Sequence, residues 1–429
     1  MAGSHTAWGG LDWPPADREL AFAARGDALP ETTRSLLPHG NGRSYGDVCL
    51  NPAGDLLLTR RLDHLIAFDA DTGVLACEAG VLLADILEVF VPRGWFLPVT
   101  PGTRFVTVGG AIANDVHGKN HHAAGSFGAH VRAFELLRSD GSRRRCTADE
   151  NADWFAATIG GLGLTGLVTA AELQLRRIDG NAMAVRNQRF VGLDAFFAAS
   201  AEAAAAHEYS VAWVDCLAPT PRGVLIAGDH GAPSVPAIDA RRGRRVPLTP
   251  PVSLVNGLSL RAFNAAYYAK PWPANQTVHY APYFYPLDAI GDWNRIYGPR
   301  GFYQYQSVVP AASARAATEA MLQAIARSGQ GSFLAVLKTL GERASPGLLS
   351  FPMPGTTLAL DFPNRGAATL KLFQRLDAIV REAGGRLYPA KDARMPAAMF
   401  RAGYPNWQAF QPFVDPKFSS GFWRRVSDI

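Results

Sequence analysis

The stretch Thr100-Pro-Gly-Thr-Arg-Phe-Val-Thr-Val-Gly-Gly-Ala-Ile-Ala-Asn-Asp-Val-His-Gly-Lys-Asn-His-His122 alternates small residues with hydroxyls and amides over some twenty positions. Backbone carrying so few bulky side chains lies open to a large polar ligand. The segment therefore fits a cofactor cradle better than a core. His117, His121 and His122 invite a metal reading, but a helical i, i+4 ligand pair needs helix and Gly118 argues for loop. They are expected to be hydrogen-bonding loop histidines, with no metal.

A second glycine-rich segment lies upstream, His39-Gly-Asn-Gly-Arg-Ser-Tyr-Gly-Asp47. Its glycines let backbone N–H groups converge on an anion, and Arg43 and Ser44 add donors suited to a pyrophosphate. No Gly-Lys-Ser/Thr ends it, and no helical pattern opens directly after the glycines. It is neither a Walker loop nor a Rossmann fingerprint.

Around these segments the chain reads as an α+β unit. Short apolar stretches over 55–66 and 74–78 flank the turn composition Asp69-Ala-Asp-Thr-Gly73, giving two expected strands. Leu82, Leu83, Ile86, Leu87 and Phe90 repeat at helical spacing until Pro92 and Gly94 stop the helix before a short strand at 95–99. Strands are expected over 131–137 and 164–175. The uncharged run Trp154 to Ala171 is rich in Gly and Thr, which makes it buried turn and strand rather than a membrane span. A second unit begins with a helix over 193–207 and strands over 209–217 and 223–227. It resumes with a strand over 301–309, a helix over 311–328, strands over 333–338 and 357–362, and a helix over 367–383. This alternation implies a sheet with helices on one face. Residues 228–260 hold many Pro and Gly, the basic cluster Arg241-Arg-Gly-Arg-Arg245, and an uncharged stretch, and are expected to form a mobile loop.

The 429 residues allow roughly two or three domains. A net charge of +5 is too mild for a nucleic-acid partner, and Cys49, Cys77, Cys146 and Cys216 lack metal or disulfide spacing. The N-terminus shows no secretory signal and no segment reads as transmembrane. The expected location is cytoplasmic, or peripheral at the inner membrane or its periplasmic face.

The two glycine segments together resemble the flavin-binding domain of the vanillyl-alcohol-oxidase type. Gly42-Arg-Ser-Tyr-Gly-Asp47, Val106-Thr-Val-Gly-Gly-Ala-Ile112, His117-Gly-Lys-Asn-His-His122, Ala124-Gly-Ser-Phe-Gly128, Gly163-Leu-Thr-Gly166, Trp293-Asn-Arg295, Tyr297-Gly-Pro299, Tyr303-Gln-Tyr-Gln306, Gly385-Arg-Leu-Tyr388 and Lys391-Asp392 narrow the resemblance. They look like the branch of that family that oxidises decaprenylphosphoryl-β-D-ribose, collinear from about Trp8 to the C-terminus.

The resemblance implies a two-domain PCMH-type α+β fold. Residues 7–180, completed by 386–429, would be the FAD-binding domain; 181–385 would be a substrate domain of antiparallel sheet and helices, with the mobile loop at 228–260. His39, Gly40, Asn41, Gly42, Arg43, Ser44, Tyr45, Gly46 and Asp47 would wrap the pyrophosphate and ribityl chain. Gly102, Thr103, Thr107, Val108, Gly109 and Gly110 would line the flavin, with Asn114, Asp115, Val116, His117 and Gly118 continuing beneath it. Val168 and Tyr388 fall where the family makes further cofactor contacts. Tyr45 stands where many relatives carry a flavin-linked histidine, so the FAD is expected to be non-covalent.

Oxidation removes a hydroxyl proton while hydride leaves carbon for the flavin, so a proton acceptor must sit over the ring. Lys391 matches the family's active-site lysine and is the first choice. Gln304 and Gln306 alternate with tyrosines on one strand and so share a face, where their amides can hold sugar hydroxyls; Tyr45 and His117 complete the expected catalytic set. Lys119 and Lys338 are candidates for the substrate phosphate, and Trp213, Thr357 and Ala359 for the remaining substrate contacts. Thr357 and Ala359 occupy places where the characterised family member has asparagine and cysteine, and Asn114 replaces another cysteine, so the pocket has changed locally.

The leading expectation is an FAD-dependent oxidase that converts the 2-hydroxyl of a polyprenyl-phosphate-linked pentose to a 2-keto sugar. A separate NAD(P)H-dependent reductase would consume that product, and quinone or oxygen would accept the electrons. A soluble alditol or aldonolactone oxidase on the same fold is the alternative, and a flavin-binding protein without turnover a third reading.

Overall fold

The computed structural model describes residues 5–232, 234–236 and 244–427. Arg18–Ala21, Asp55–Leu58 and Leu36–His39 form a small parallel sheet with Asp55–Leu58 in the middle. Leu65–Asp69, Val74–Glu78, Leu167–Gln174, Val131–Leu137 and Arg143–Thr147 pair antiparallel, in that order, as a five-stranded sheet. The single strand expected over 55–66 is thus two strands in two different sheets. The connection between them carries Leu62, which is fully buried and anchors the crossing.

The helix Leu83–Phe90 starts where the Asp85 carboxylate accepts the Leu82 N–H at 3.0 Å. It buries Leu83, Ile86, Leu87 and Phe90 and yields to Gly94, whose φ of 79° is a left-handed conformation that suits glycine. The glycine-rich stretch is less irregular than its composition implies. Val108–Ala113 is helical because Thr107 Oγ1 accepts the Gly110 N–H at 3.1 Å, and His121–Ala124 adds a further short turn.

The second half is built on an eight-stranded sheet in the order Asn275–His279, Ala182–Val191, Arg222–Ala232, Tyr209–Asp215, Ala335–Leu340, Gly355–Pro363, Phe302–Pro310 and Arg386–Leu387. Every pairing in it is antiparallel. Leu193–Ala206, Ala314–Ser328 and Ala367–Glu382 cover one face, where Phe196, Met321, Phe373 and Leu376 pack with Ala212, Val214, Leu337, Leu358 and Leu360. Residues alternate along a strand. The opposite face therefore presents Trp213, Val336, Lys338, Ala359, Gln304 and Gln306, all of which border the main cavity.

The C-terminal segment returns to the first half. Leu36 N–H donates to Lys417 O at 2.6 Å and Asp415 N–H to Leu164 O at 2.8 Å. On the last helix, Gly421–Ser427, Arg425 pairs with the buried Asp47 at 2.6 Å and with Asp392 at 3.0 Å. Removing Arg425 would strand two buried carboxylates, a loss on the order of 3 kcal/mol.

The irregular loop expected over 228–260 is shorter than its composition implied. The strand Arg222–Ala232 runs into it, and the helix Gly257–Ala269, capped by the Asn256 side chain, begins before its end. Arg244–Arg245 pairs in parallel with Ile290–Gly291, and Val255 and Leu260 are buried. Arg241 and Arg242 lie outside the described residues.

Candidate active site

A cavity of about 1030 Å³ opens between the free face of the eight-stranded sheet and the two glycine segments. This is at the upper end of the range for small-molecule sites and leaves room for a large cofactor together with a substrate. Gly40 to Tyr45 line one end, with Gly102, Thr103, Thr107, Gly109, Gly110, Asn114, Val116, His117, Gly118, Val168 and Tyr388. Asn41 Nδ2 donates to Phe105 O at 2.7 Å and so ties the two glycine segments together. Arg43 lays its guanidinium 4.2 Å over the Trp8 ring, and Gly42 has φ of 59°. A Cβ on Gly110 would meet only Thr107 Oγ1, at 3.0 Å, so its open side is cavity.

Several expected cofactor residues stand behind this wall rather than in it. His39 is buried with Nδ1 bonded to Cys49 O at 2.9 Å, and Asp47 is held by Arg425. Gly46 is a packing glycine, since a Cβ there would lie 2.1 Å from Asp392 O. Val108 belongs to the core, and Asp115 accepts from Gly128 N–H at 2.8 Å and Ser350 Oγ–H at 2.6 Å. Thr357 is likewise behind the lining, where its Oγ1 accepts from Gln306 Nε2 at 3.2 Å. Sequence position put His39, Asp47 and Asp115 next to the cradle, but their side chains are held from behind it; Thr357 shares the face of Ala359 but is covered by Gln306.

Where the glycine segments meet the sheet face the titratable groups gather. Lys391 places Nζ 4.1 Å from the centroid of the Tyr45 ring, and burial lowers its pKa to about 8. The nearby Asp361 carboxylate opposes that fall; its own pKa is raised by burial to about 7. Gln304 Nε2 donates to Asp361 Oδ1 at 2.7 Å, while Oδ2 is buried without a hydrogen-bond partner among the described residues. Gln306 Nε2 donates to His117 Nε2 at 3.0 Å, which leaves the imidazole proton on Nδ1. Burial, with Lys338, His121 and Lys391 nearby, pushes the His117 pKa well down and keeps the ring neutral.

Lys338 donates to Gly118 O at 3.3 Å, and burial and Lys391 lower its pKa to about 8. Lys119 donates to Tyr283 O and sits 4.5 Å over the Tyr283 ring; burial and Lys338 bring its pKa down to about 7. All three lysines keep an opening to the cavity. An anion entering there would offset their mutual repulsion. Ala359, Val336 and Trp213 continue the wall beyond them.

Asp361 was missed by sequence reasoning. The available signal was a lone acid inside the apolar run Leu358-Ala-Leu-Asp-Phe362, a pattern that costs stability unless the charge is used.

The cradle suits FAD on its own chemistry. Glycine backbone faces the cavity, and Arg43 Nε, Asn114 Oδ1 and His117 Nδ1 are buried without hydrogen-bond partners among the described residues. A family model described as an FAD binding domain matches residues 24–147. Decaprenylphosphoryl-beta-D-ribose oxidase of Mycolicibacterium smegmatis is 36% identical over 431 residues, covering 96% of this chain and 93% of that protein. An uncharacterised Streptomyces coelicolor protein is 34% identical over 369 residues, 81% of this chain and 100% of its own length. L-gulonolactone oxidase of Mus musculus is 29% identical over 137 residues, only 32% of this chain and 30% of that protein. With its α+β PCMH-type architecture and a near full-length oxidase relative, the chain is an FAD-dependent oxidoreductase and belongs to the decaprenylphosphoryl-beta-D-ribose oxidase family.

Proposed function

We propose that this protein oxidises the 2-hydroxyl of a polyprenyl-phosphate-linked pentose, such as decaprenylphosphoryl-β-D-ribose, to a 2-keto sugar. The observation that carries this reading is the set of groups on one sheet face. Gln304 and Gln306 offer amides on one strand; two strands away the cation Lys338 stands beside the apolar Val336, with Trp213 on the strand beyond. A sugar, its phosphate and a lipid chain need those three kinds of surface.

FAD, held by the glycine segments, supplies the hydride acceptor. Neutral Lys391 takes the proton of the 2-hydroxyl on Nζ as the hydrogen on that same carbon departs with its electron pair. Asp361 then faces the new ammonium, so the charge formed is balanced inside the protein. Gln304 and Gln306 hold sugar hydroxyls, and neutral His117 fixes the Gln306 amide by accepting from its Nε2. Lys119 and Lys338 hold the phosphate.

The FAD is non-covalent in this reading. By the resemblance Tyr45 stands where many relatives carry a flavin-linked histidine, and its ring is buried against Phe302 and Lys391. A separate reductase must consume the keto sugar, and quinone or oxygen must reoxidise the flavin. No helix among the described residues is long and apolar enough to cross a membrane. Peripheral contact is supported by the exposed Leu248, Val252, Leu254 and Leu258 close in sequence to Arg244 and Arg245 at the cavity mouth. Arg245 is already paired with Asp292, so its charge is partly spoken for.

The test is anaerobic. Decaprenylphosphoryl-ribose should bleach the flavin, while bleaching only by a free alditol or aldonolactone would transfer the assignment to the alternative oxidase.

A further inference from the structure

We propose that Trp213 and Tyr267 inside the cavity, continued outward by Phe263, form the seat of the substrate's isoprenoid chain, an inference that rests on the polyprenyl reading above.

The strand register sets the path. Gln306 lies opposite Ala359, Ala359 opposite Val336, and Val336 opposite Trp213, so one row crosses four adjacent strands on a single face. Its side chains pass from amide to methyl, isopropyl and indole. Lys338 stands two residues beyond Val336 on the same strand and face, roughly 7 Å away. A phosphate held by Lys338 therefore delivers the first carbons of its ester to Val336 and Trp213. The indole N–H is already bonded to Phe333 O at 2.9 Å, which leaves the ring as an apolar surface.

From there the path turns onto the helix Gly257–Ala269. The Trp213 ring meets Tyr267 at 4.7 Å, and Tyr267 stacks on Phe263 at 5.5 Å and 17°. Phe263 and Tyr267 are four residues apart and so share a helix face. Tyr267 borders the cavity, whereas Phe263 is 41% exposed and packs edge-on against Phe333 at 4.8 Å. The aromatic row is thus continuous from the interior to solvent. A free sugar acid or alditol has no part that would use it, whereas a branched hydrocarbon longer than the cavity needs such an exit.

The experiment compares two ribose phosphodiesters in anaerobic flavin reduction, one with a ten-unit and one with a one-unit isoprenoid tail. Wild type should prefer the long chain in kcat/KM. Phe263→Ser and Tyr267→Ser should each lower that preference about tenfold, the scale of losing a buried aromatic contact. Phe263→Leu and Tyr267→Phe should retain it, which separates lost apolar surface from misfolding. Equal use of both tails by wild type, or an unchanged preference in both serine variants, would overturn the seat while leaving the oxidase reading intact. If neither diester reduces the wild-type flavin, the polyprenyl reading itself fails and the seat falls with it.

Discussion

The Lys391 ammonium nitrogen lies 4.1 Å above the Tyr45 ring, and the two residues come from opposite ends of the chain. Tyr45 N–H donates to Ala390 O at 3.0 Å, so the backbone beside the lysine is fixed to the first glycine segment. This link holds Lys391, the proposed proton acceptor, against the glycine cradle, and a cation over an aromatic face is stabilised there.

Replacing Lys391 with Ala should slow substrate-dependent flavin reduction by about 10² to 10⁴, the usual cost of removing a positioned base. FAD content should stay at the wild-type level, because the glycine segments carry cofactor binding. Stopped-flow absorbance of the anaerobic reaction measures the first and the visible spectrum the second. Near-normal reduction would remove Lys391 from the chemistry.

The reduction rate should rise with pH and level off above about 8, because the proposed mechanism uses neutral Lys391 and its pKa is lowered to about 8. Asp361 holds that pKa up. Asp361→Asn should therefore move the midpoint to lower pH, and an effect on rate without a shifted profile would mean that Asp361 serves packing alone.

Gly110→Trp should yield folded protein without flavin. The open side of Gly110 faces the cavity, and an indole there would fill the space proposed for the isoalloxazine. Circular dichroism matching wild type together with a colourless preparation is the expected pair of results; a yellow variant would place the ring elsewhere.

Sequence made the cradle legible because glycine, hydroxyl and amide composition is a local property. What it could not supply was the side on which each residue turns. His39, Asp47 and Asp115 lie within or beside the glycine segments, yet Cys49 O, Arg425 and Ser350 claim them from behind. Two of those three partners are hundreds of residues away. The helices at Val108–Ala113 and Gly257–Ala269 escaped notice because one is capped and packed despite Gly-Gly, and the other begins inside a Pro-rich stretch. Asp361 was hidden for a related reason: its importance comes from Lys391 and Gln304 on other segments.

Changing Leu248, Val252, Leu254 and Leu258 together to Ser should reduce flotation with anionic liposomes at low salt. These side chains are 77%, 67%, 53% and 80% exposed, so their loss leaves the core unaltered. Basic residues near anionic lipid add on the order of 1 kcal/mol each, which makes the wild-type association salt-sensitive. Equal flotation of both proteins, or none by wild type, would contradict peripheral contact through this segment.

The central claim, that hydrogen leaves the 2-position of a lipid-linked pentose, is tested most directly with decaprenylphosphoryl-ribose deuterated at that carbon. Anaerobic flavin reduction should be slower with this substrate than with the unlabelled one or with one deuterated at the 3-position. Slowing by the 3-deuterated substrate alone, or no reduction by any of the three, would contradict it.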